Sequence, residues 1–296
     1  MTDSRSLSIT PPRKALPAGA CDTHAHVFGP FDLFPLPEGR TYTPPLATAD
    51  MHAAALARLG FDRAVIIQAS AYGSDNRCTL EAVARDPVAR RGVGVADESF
   101  DEARLAALRA GGIRGLRFTE IIGKDSGKRL AGASGFDTLR AIAPRMRAVG
   151  LHAQLFAPFD LLMDWIDDLL ALDVPLVLDH LARVGPSDRT VDDPRFQRLL
   201  ALLREGRVWV KLMVFRNSRA PETGYADVRP FHEAMTHANP GRLVWGTDWP
   251  LLNVAPPPDP GALLDLLDAW LEGDAVLRRR ILVDNPERLY GFPAQA

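Results

Sequence analysis

The chain has 296 residues, 47% hydrophobic and 24% charged, which is the composition of an ordinary globular protein. A formal net charge of −2 argues against a general nucleic-acid or anionic-membrane partner, and no window approaches the roughly 20 apolar residues that cross a bilayer. Cys21 and Cys78 are too few for a disulfide framework, and residues 1–20 contain no apolar stretch typical of a secretory signal. We therefore expect a cytoplasmic protein that binds neither membranes nor nucleic acids.

Short β-rich runs alternate with helical patterns along the whole chain. Strands are predicted at 20–28, 63–70, 91–97, 113–119, 151–156, 175–181, 207–214 and 242–248. Between them, apolar residues recur at spacings of three and four, the helical period, in stretches that include 50–59, 102–110, 136–149, 161–172 and 196–205.

The order of these elements predicts the fold class. Runs such as 63–67 and 175–178 are continuously apolar, which suits a parallel sheet covered on both faces. Eight strand–helix units without a break in composition predict a single (β/α)8 barrel over residues 1–296, with residues 1–18 as an extended N-terminal arm. An open, doubly wound sheet is the alternative, but no GxGxxG follows the first strand.

Two motifs far apart in the chain carry the strongest chemical signal. Asp22-Thr-His24-Ala-His26 lies in the first predicted strand, and Gly246-Thr-Asp248-Trp-Pro ends the last one. Residues two apart in a strand point to one face, so His24 and His26 project side by side. Paired imidazoles with a distant carboxylate can hold a divalent metal, or polarise a carbonyl beside a base that activates water.

Other polar residues stand at the carboxyl ends of the predicted strands, which form the active face of such a barrel. They are Gln68, Ser70, Arg117, Glu120, His180 and Arg216. Alone, His180 fits a satisfied core histidine and Asp248 fits a turn cap. Their arrival at the same ends of different strands favours one site.

Several further residues have open or structural interpretations. Three histidines in helical patterns are expected to face solvent or partners: His52, His232 and His237. Because side chains alternate along a strand, Asp179 is expected to point to the face opposite that of His180, toward the helices. Asp22 is placed to orient a histidine or to act directly. The pattern leaves open whether Lys211 faces the barrel interior or extends between helices.

Three segments, 21–30, 178–181 and 243–250, resemble the amidohydrolase superfamily in its branch of metal-optional lactonases, which act on 2-pyrone-4,6-dicarboxylate and on sugar lactones. The segments 68–76, 115–118, 210–213, 225–228 and 285–292 extend the resemblance along most of the chain. It implies a (β/α)8 barrel. It also implies that Asp248 is the general base for a hydrolytic water, with His24, His26 and His180 near the scissile carbonyl.

The same resemblance implies which residues bind substrate. Ser70, Arg117 and Arg216 would hold the carboxylates, because a guanidinium offers a planar fork that matches a carboxylate. Their alternative is a salt bridge to helix acids. Tyr42, Lys124 and Gln154 are further candidates for substrate contacts.

Two departures from the family pattern concern the metal and the substrate. Many relatives place a metal-ligating histidine or lysine at the end of an intermediate strand, where the fifth strand here carries Gln154 and Phe156. Zinc or manganese held by His24, His26, His180 and Asp248 is therefore optional, and no cofactor is expected to be required. Relatives often continue Trp-Pro-His where this chain has Leu251.

These features predict a hydrolase that opens a small, anionic, carboxylated lactone, 2-pyrone-4,6-dicarboxylate or a close analogue. The alternatives are a sugar or aldarate lactone hydrolase, a lactone isomerase, a metal-dependent decarboxylase of aromatic acids, and a non-catalytic barrel that binds an acidic ligand. Oligomeric state is left open.

Overall fold

The computed structural model describes residues 8–123, 127–186 and 189–294. Within these residues the backbone forms eight strands: β1 (Cys21–Ala25), β2 (Arg63–Ile67), β3 (Arg90–Gly94), β4 (Ile113–Thr119), β5 (His152–Phe156), β6 (Leu176–Leu178), β7 (Val208–Lys211) and β8 (Leu243–Val244). Each strand pairs in parallel with the next. The sheet closes where Ala25 bridges Trp249 in parallel, and where the His26 amide donates to the Trp249 carbonyl at 2.8 Å. The predicted (β/α)8 barrel is confirmed, and the open sheet is excluded.

Helices alternate with these strands. In the described part of the chain they are α1 (Ala49–Leu59), α2 (Arg77–Ala84), α3 (Glu102–Ala110), α4 (Phe136–Val149), α5 (Phe159–Ala171), α6 (Pro194–Arg204), α7 (Arg229–Ala238), α8 (Pro260–Trp270), α9 (Ala275–Arg279) and α10 (Asn285–Tyr290). A π-helical turn, Arg280–Asp284, joins α9 to α10. None of the described helices has both the length and the apolar character needed to cross a membrane. The cytoplasmic location stays a prediction.

Local capping explains where several helices begin and end. Helices α3 and α4 match their predicted bounds, whereas α6 begins earlier than predicted, at Pro194. The Asp193 side chain accepts hydrogen bonds from the first backbone amides of α6, and proline suits the first turn of a helix. Helix α1 ends at Gly60, whose φ of 84° is the left-handed conformation that glycine adopts without strain.

The sixth strand is shorter than predicted, and the reason lies in the backbone. Strand β6 ends at Leu178, although the apolar pattern extends through residue 181. The four residues from His180 to Arg183 all have positive φ, between 50° and 60°. Left-handed residues cannot continue a strand, so the chain turns sharply at the carboxyl end of β6.

The C-terminal helix closes the amino-terminal end of the barrel. Val65, Ile67 and Val93 pack with Tyr290 of α10 in a cluster separate from the main core. Asn285 Nδ2 donates to the Leu243 carbonyl at 2.6 Å and fixes the start of α10 beside β8. The amino-terminal end of the barrel is therefore covered by α10, whereas the predicted site residues belong to the opposite, carboxyl end.

Two helical histidines are buried, so the expectation that they face solvent or partners is wrong. His52 is 3% exposed and packs on Trp249, and His232 is 1% exposed and packs on Trp270. His52 belongs to the inward face of α1, as its position four residues before the buried Leu56 shows. His237 is exposed, as predicted.

The N-terminal segment lies against α8. Residues 8–18 form neither helix nor strand. The Thr10 amide donates to the Asp259 carboxylate at 3.1 Å, and the Arg13 amide donates to Asp265 at 2.7 Å. A separate role for residues 1–18 as an arm stays a prediction.

Candidate active site

The carboxyl ends of β1, β6 and β8 bring three predicted histidines and one predicted aspartate together. The ring centres of His24 and His26 lie 5.1 Å apart, and the ring centre of His180 lies 5.1 Å from that of His24. Asp248 Oδ1 lies 3.5 Å from His24 Nε2 and 3.4 Å from His26 Nε2. All four side chains are buried. Motifs from the two ends of the chain thus form one cluster.

Asp248 carries negative charge within this cluster. Arg216 Nε donates a hydrogen bond to Asp248 Oδ2. Burial disfavours the charged carboxylate, but the neighbouring groups, of which Arg216 is the strongest influence, outweigh it and hold the pKa of Asp248 well below its usual value. Burial lowers the pKa of His180 to about 3, so its imidazole is neutral near pH 7. The site therefore combines an ionised carboxylate with a neutral imidazole.

A second carboxylate, Asp179, also points into the barrel, and the expectation that it faces the helices is wrong. Its Oδ2 accepts hydrogen bonds from Arg117 Nε at 3.0 Å and from Gln154 Nε2 at 3.1 Å. Strand alternation does not apply to Asp179, because β6 ends at Leu178 and the left-handed turn begins at His180.

Lys211 on β7 faces the barrel interior, so the structure decides the orientation that the sequence left open. Its Nζ donates to the Thr23 carbonyl and to Gln154 Oε1, both at 2.8 Å, and lies 3.8 Å from Asp179 Oδ1. Burial lowers the pKa of Lys211 to about 8, while Asp179 opposes that shift. Burial disfavours charge on Asp179, but its neighbours outweigh that effect and hold its pKa well below the usual value.

Gln154 lies behind the histidines and does not reach the cavity wall. Its side chain is fully buried and bridges Lys211 to Asp179. The contact between Gln154 and substrate stays a prediction, and the observed partners of Gln154 are Lys211 and Asp179. On β5 its side chain points into the polar interior of the barrel, one layer below the open end.

Asp22 connects β1 to the loop after β8 and contacts no histidine ring. Its Oδ2 accepts from Thr247 Oγ1 at 2.6 Å, and its Oδ1 accepts from the backbone amides of Thr247 at 2.9 Å and His24 at 3.1 Å. Burial raises the pKa of Asp22 to about 6, and the hydrogen bonds from Thr247 oppose the shift. Because Thr247 precedes Asp248, these bonds hold the catalytic candidate in place.

A cavity of about 580 Å³ opens above the cluster. Its lining includes His26, His180 and Asp248. Four of the predicted substrate-binding residues also line it: Tyr42, Ser70, Arg117 and Arg216. Lys124, the remaining candidate, lies outside the described residues. Glu120 instead accepts hydrogen bonds from Arg129 and from the first amide of α4, so it supports the fold.

Three guanidinium groups stand on the cavity wall. Arg117 and Arg216 pair with the buried carboxylates Asp179 and Asp248, so the alternative of salt bridges to helix acids is wrong. Arg183 is a lining residue that the sequence reading missed, and no carboxylate among the described residues pairs with it.

The left-handed turn after β6 explains how Arg183 reaches the cavity. Its guanidinium carbon lies 5.4 Å from the centre of the Phe156 ring, and that of Arg117 lies 4.8 Å from the same centre. The guanidinium groups of Arg117 and Arg183 thus both lie against the Phe156 ring at one wall of the cavity. The position of Arg183 three residues after the strand-end His180 is the sequence signal that could have identified it.

Within the described residues, His24, His180 and Asp248 form a group that could hold a metal ion. One ligand atom from each lies within 4.8 Å of the others. The buried His24 Nε2 and His180 Nδ1 have no hydrogen-bond partner there. Two imidazoles and a carboxylate match a three-ligand catalytic metal site in number and type. The predicted fourth ligand, His26, falls outside this group.

Known proteins resemble the chain over nearly its full length. A family model described as amidohydrolase matches residues 21–292. The chain is 37% identical to a 2-pyrone-4,6-dicarboxylate hydrolase of Comamonas testosteroni, covering 94% of this chain and 92% of that protein. It is 34% identical to a 4-sulfomuconolactone hydrolase of Rhizobium radiobacter, covering 94% of this chain and 91% of that protein.

A solved structure agrees with these sequence matches. A crystal structure of a protein from Agrobacterium tumefaciens superposes with a TM-score of 0.84 at 30% identity, covering 96% of this chain and 100% of that one. With the closed barrel and the histidine–aspartate cluster at its carboxyl end, these matches show that the chain belongs to the amidohydrolase family.

Proposed function

We propose that the chain hydrolyses a small, anionic, carboxylated lactone, with 2-pyrone-4,6-dicarboxylate as the leading substrate. The observation that carries this proposal is the ionised Asp248 among histidines, at the base of a cavity walled by Arg117, Arg183 and Arg216. The relatives named for 2-pyrone-4,6-dicarboxylate and for 4-sulfomuconolactone support the same substrate class.

Asp248 acts as the general base in this proposal. Its Oδ2 is held by Arg216, which leaves Oδ1, beside the two β1 histidines, to accept a proton from water. The water oxygen then bonds to the lactone carbonyl carbon. When the ring C–O bond breaks, the leaving ring oxygen takes the proton that Asp248 accepted, so no other reagent is consumed.

Substrate binding strengthens this base. The bond to Arg216 keeps Asp248 ionised but makes it a weak proton acceptor while the site is empty. A substrate carboxylate that attracts the Arg216 guanidinium weakens that bond and raises the proton affinity of Asp248. The free enzyme thus stores an ionised carboxylate that becomes more basic when an anionic substrate arrives.

Recognition rests on the arginine wall. Arg183 has its guanidinium available for a substrate carboxylate, while Arg117 and Arg216 reach the cavity from existing ion pairs. Tyr42 and Ser70 add hydroxyl groups to the lining. A cavity of about 580 Å³ suits a small ring with charged substituents.

A divalent metal is optional in this proposal. His24, His180 and Asp248 are the residues that would hold zinc or manganese, which when bound would polarise the substrate carbonyl. The protein's own cations, Lys211 beneath His24 and Arg216 beside Asp248, already supply positive charge at both ends of the cluster. We therefore infer that catalysis does not require the metal.

The test follows turnover of 2-pyrone-4,6-dicarboxylate by ultraviolet absorbance, with chelator-treated and untreated enzyme in ¹⁸O-labelled water. The ¹⁸O content of the product is then measured by mass spectrometry. Turnover in both preparations, with one solvent oxygen in the product, supports a metal-independent hydrolase. Turnover only in the untreated enzyme contradicts the inference on the metal. An unlabelled product identifies a lactone isomerase. No turnover in either preparation rejects this substrate and directs the assay to sugar and aldarate lactones.

A further inference from the structure

A fully buried lysine lies directly beneath the histidine pair and has a choice of hydrogen-bond partners. An ammonium group has three donor protons and no acceptor. Two of the protons of Lys211 have oxygen acceptors at 2.8 Å, on Thr23 and Gln154. The third faces His24 Nδ1 at 3.2 Å, within hydrogen-bond distance. If that nitrogen carried a proton, two donors would oppose each other in a site closed to water.

Asp179 competes for the same nitrogen, and the geometry decides between them. Asp179 Oδ1 lies 3.4 Å from His24 Nδ1, but this oxygen has no hydrogen-bond partner among the described residues. The other oxygen, Oδ2, accepts from Arg117 and Gln154, and these two hydrogen bonds fix the orientation of the carboxylate. The arrangement therefore favours a lone pair on His24 Nδ1 that accepts from Lys211.

The other histidine of the pair has the opposite arrangement. His26 Nδ1 lies 2.8 Å from the backbone oxygen of Ile67. A carbonyl oxygen can only accept, so His26 Nδ1 must carry a proton. The second ring nitrogens of both histidines, Nε2, lie at nearly equal distances from Asp248 Oδ1.

We propose that Lys211 is a positioning residue that holds His24 as the Nε2–H tautomer, while Ile67 holds His26 as the Nδ1–H tautomer. The pair then presents one proton and one lone pair to the reacting centre. In the lactonase reaction, on which this consequence rests, His24 Nε2–H donates to the developing oxyanion and His26 Nε2 stays an acceptor. A metal ion can bind His24 Nε2 only after that proton leaves, so Lys211 also disfavours metal at this ligand.

The tautomers can be read directly, without substrate, by long-range ¹H–¹⁵N correlation spectra of the full-length chain at pH 7 with chelator present. The His24→Gln variant identifies the His24 resonances. We expect protonation at Nε2 of His24 and at Nδ1 of His26 in the wild type. A wild-type His24 protonated at Nδ1 overturns the proposal whatever any variant does, and because no substrate is present this result is independent of the lactonase assay.

Two matched variants then test whether Lys211 is the cause. Lys211→Met removes the donor, and we expect His24 to change to the Nδ1–H tautomer, donating to the nearby Asp179 Oδ1. Gln154→Met disturbs the same buried network but leaves Lys211 beside His24, so the Nε2–H tautomer should persist. An unchanged His24 tautomer in Lys211→Met, or the same change in both variants, contradicts the assignment.

Kinetics give a second measurement if the lactone is turned over. Lys211→Met should lower kcat by about 10²–10³-fold, the usual loss for a misdirected oxyanion donor, with KM nearly unchanged. A general loosening of the barrel would raise KM as well and would also affect Gln154→Met. Equal losses in both variants would therefore argue for a structural role of Lys211.

Discussion

The two ends of the barrel use arginine in different ways. At the carboxyl end, Arg117 and Arg216 pair with the buried carboxylates Asp179 and Asp248. Arg216 is the strongest influence that keeps Asp248 ionised where burial alone would neutralise it, and Arg117 acts in the same direction on Asp179 together with other neighbours. Both arginines line the cavity, together with Asp248.

At the amino-terminal end, several arginines bind backbone and aromatic groups, although Arg63 also pairs with Glu287 at 2.7 Å. Arg91 donates to the Gly291 carbonyl at 3.0 Å and lies 4.7 Å from the centre of the Phe292 ring. Arg242 and Arg288 both lie 4.8 Å from the centre of the Trp209 ring. These contacts hold the C-terminal segment against the barrel.

The surroundings of the histidines also differ between the two ends of the barrel. His24, at the carboxyl end, lies between Lys211 and Asp248 in the histidine–aspartate cluster. His152, at the amino-terminal end, packs against the Tyr290 ring, and burial lowers its pKa to about 3. The same residue type thus lies beside the Asp248 carboxylate at one end and packs on an aromatic ring at the other.

The largest expected effect comes from the acid at the carboxyl end. Asp248→Asn removes the proton acceptor but keeps the shape, so kcat should fall by about 10²–10⁴-fold. The measurement is steady-state hydrolysis of 2-pyrone-4,6-dicarboxylate, with circular dichroism to confirm folding. Asp167→Asn, at an acid 80% exposed on α5, is the control and should leave kcat unchanged. Full activity of Asp248→Asn would remove Asp248 from the mechanism.

The next effect concerns substrate binding. Arg183→Gln removes a cation that no described carboxylate neutralises, so a substrate carboxylate loses a charged hydrogen bond worth about 1.5–3 kcal/mol. We expect KM to rise about 10–100-fold with kcat little changed. Arg207→Gln, at an exposed arginine of the amino-terminal end, is the matched control. An unchanged KM in Arg183→Gln would show that the substrate does not reach this wall.

The smallest expected effect is a shift in pH dependence. Burial favours the neutral form of Asp248, and Arg216 is the strongest influence that keeps it ionised. In Arg216→Gln the pKa of Asp248 should rise, so the acid limb of the kcat/KM profile moves to higher pH. Activity is then lost at a higher pH than in the wild type. Arg242→Gln, at the opposite end, should leave the acid limb in place. A shift of the acid limb in this variant would contradict the view that only arginines of the carboxyl end influence Asp248.

Much of the fold could be predicted from local patterns. Continuous apolar runs and helical periodicity placed the eight strands and most of the helices, including α3 and α4 at their observed bounds. The strand-end positions of His24, His26 and Asp248 were also sufficient to predict that they meet. These features depend on neighbouring residues in the chain and on the general geometry of a barrel.

Errors arose where the backbone left regular geometry. The alternation of a strand assigned Asp179 to the helix side, but the left-handed turn from His180 to Arg183 brings both Asp179 and Arg183 to the site. Helical position alone could not show that His52 is covered, because its cover is Trp249, far along the chain.

By itself, the sequence determined the barrel, the identity of the histidine–aspartate cluster and the end of the barrel where that cluster lies. Only the tertiary structure decided which cations face which acids: Arg117 with Asp179, Arg216 with Asp248, and Lys211 beneath the histidines. The physical reason is the separation along the chain over which each property is determined. Periodicity is set by the backbone within a few residues, whereas the ionisation and tautomer of a buried group are set by charges that the fold brings within a few ångströms from distant strands.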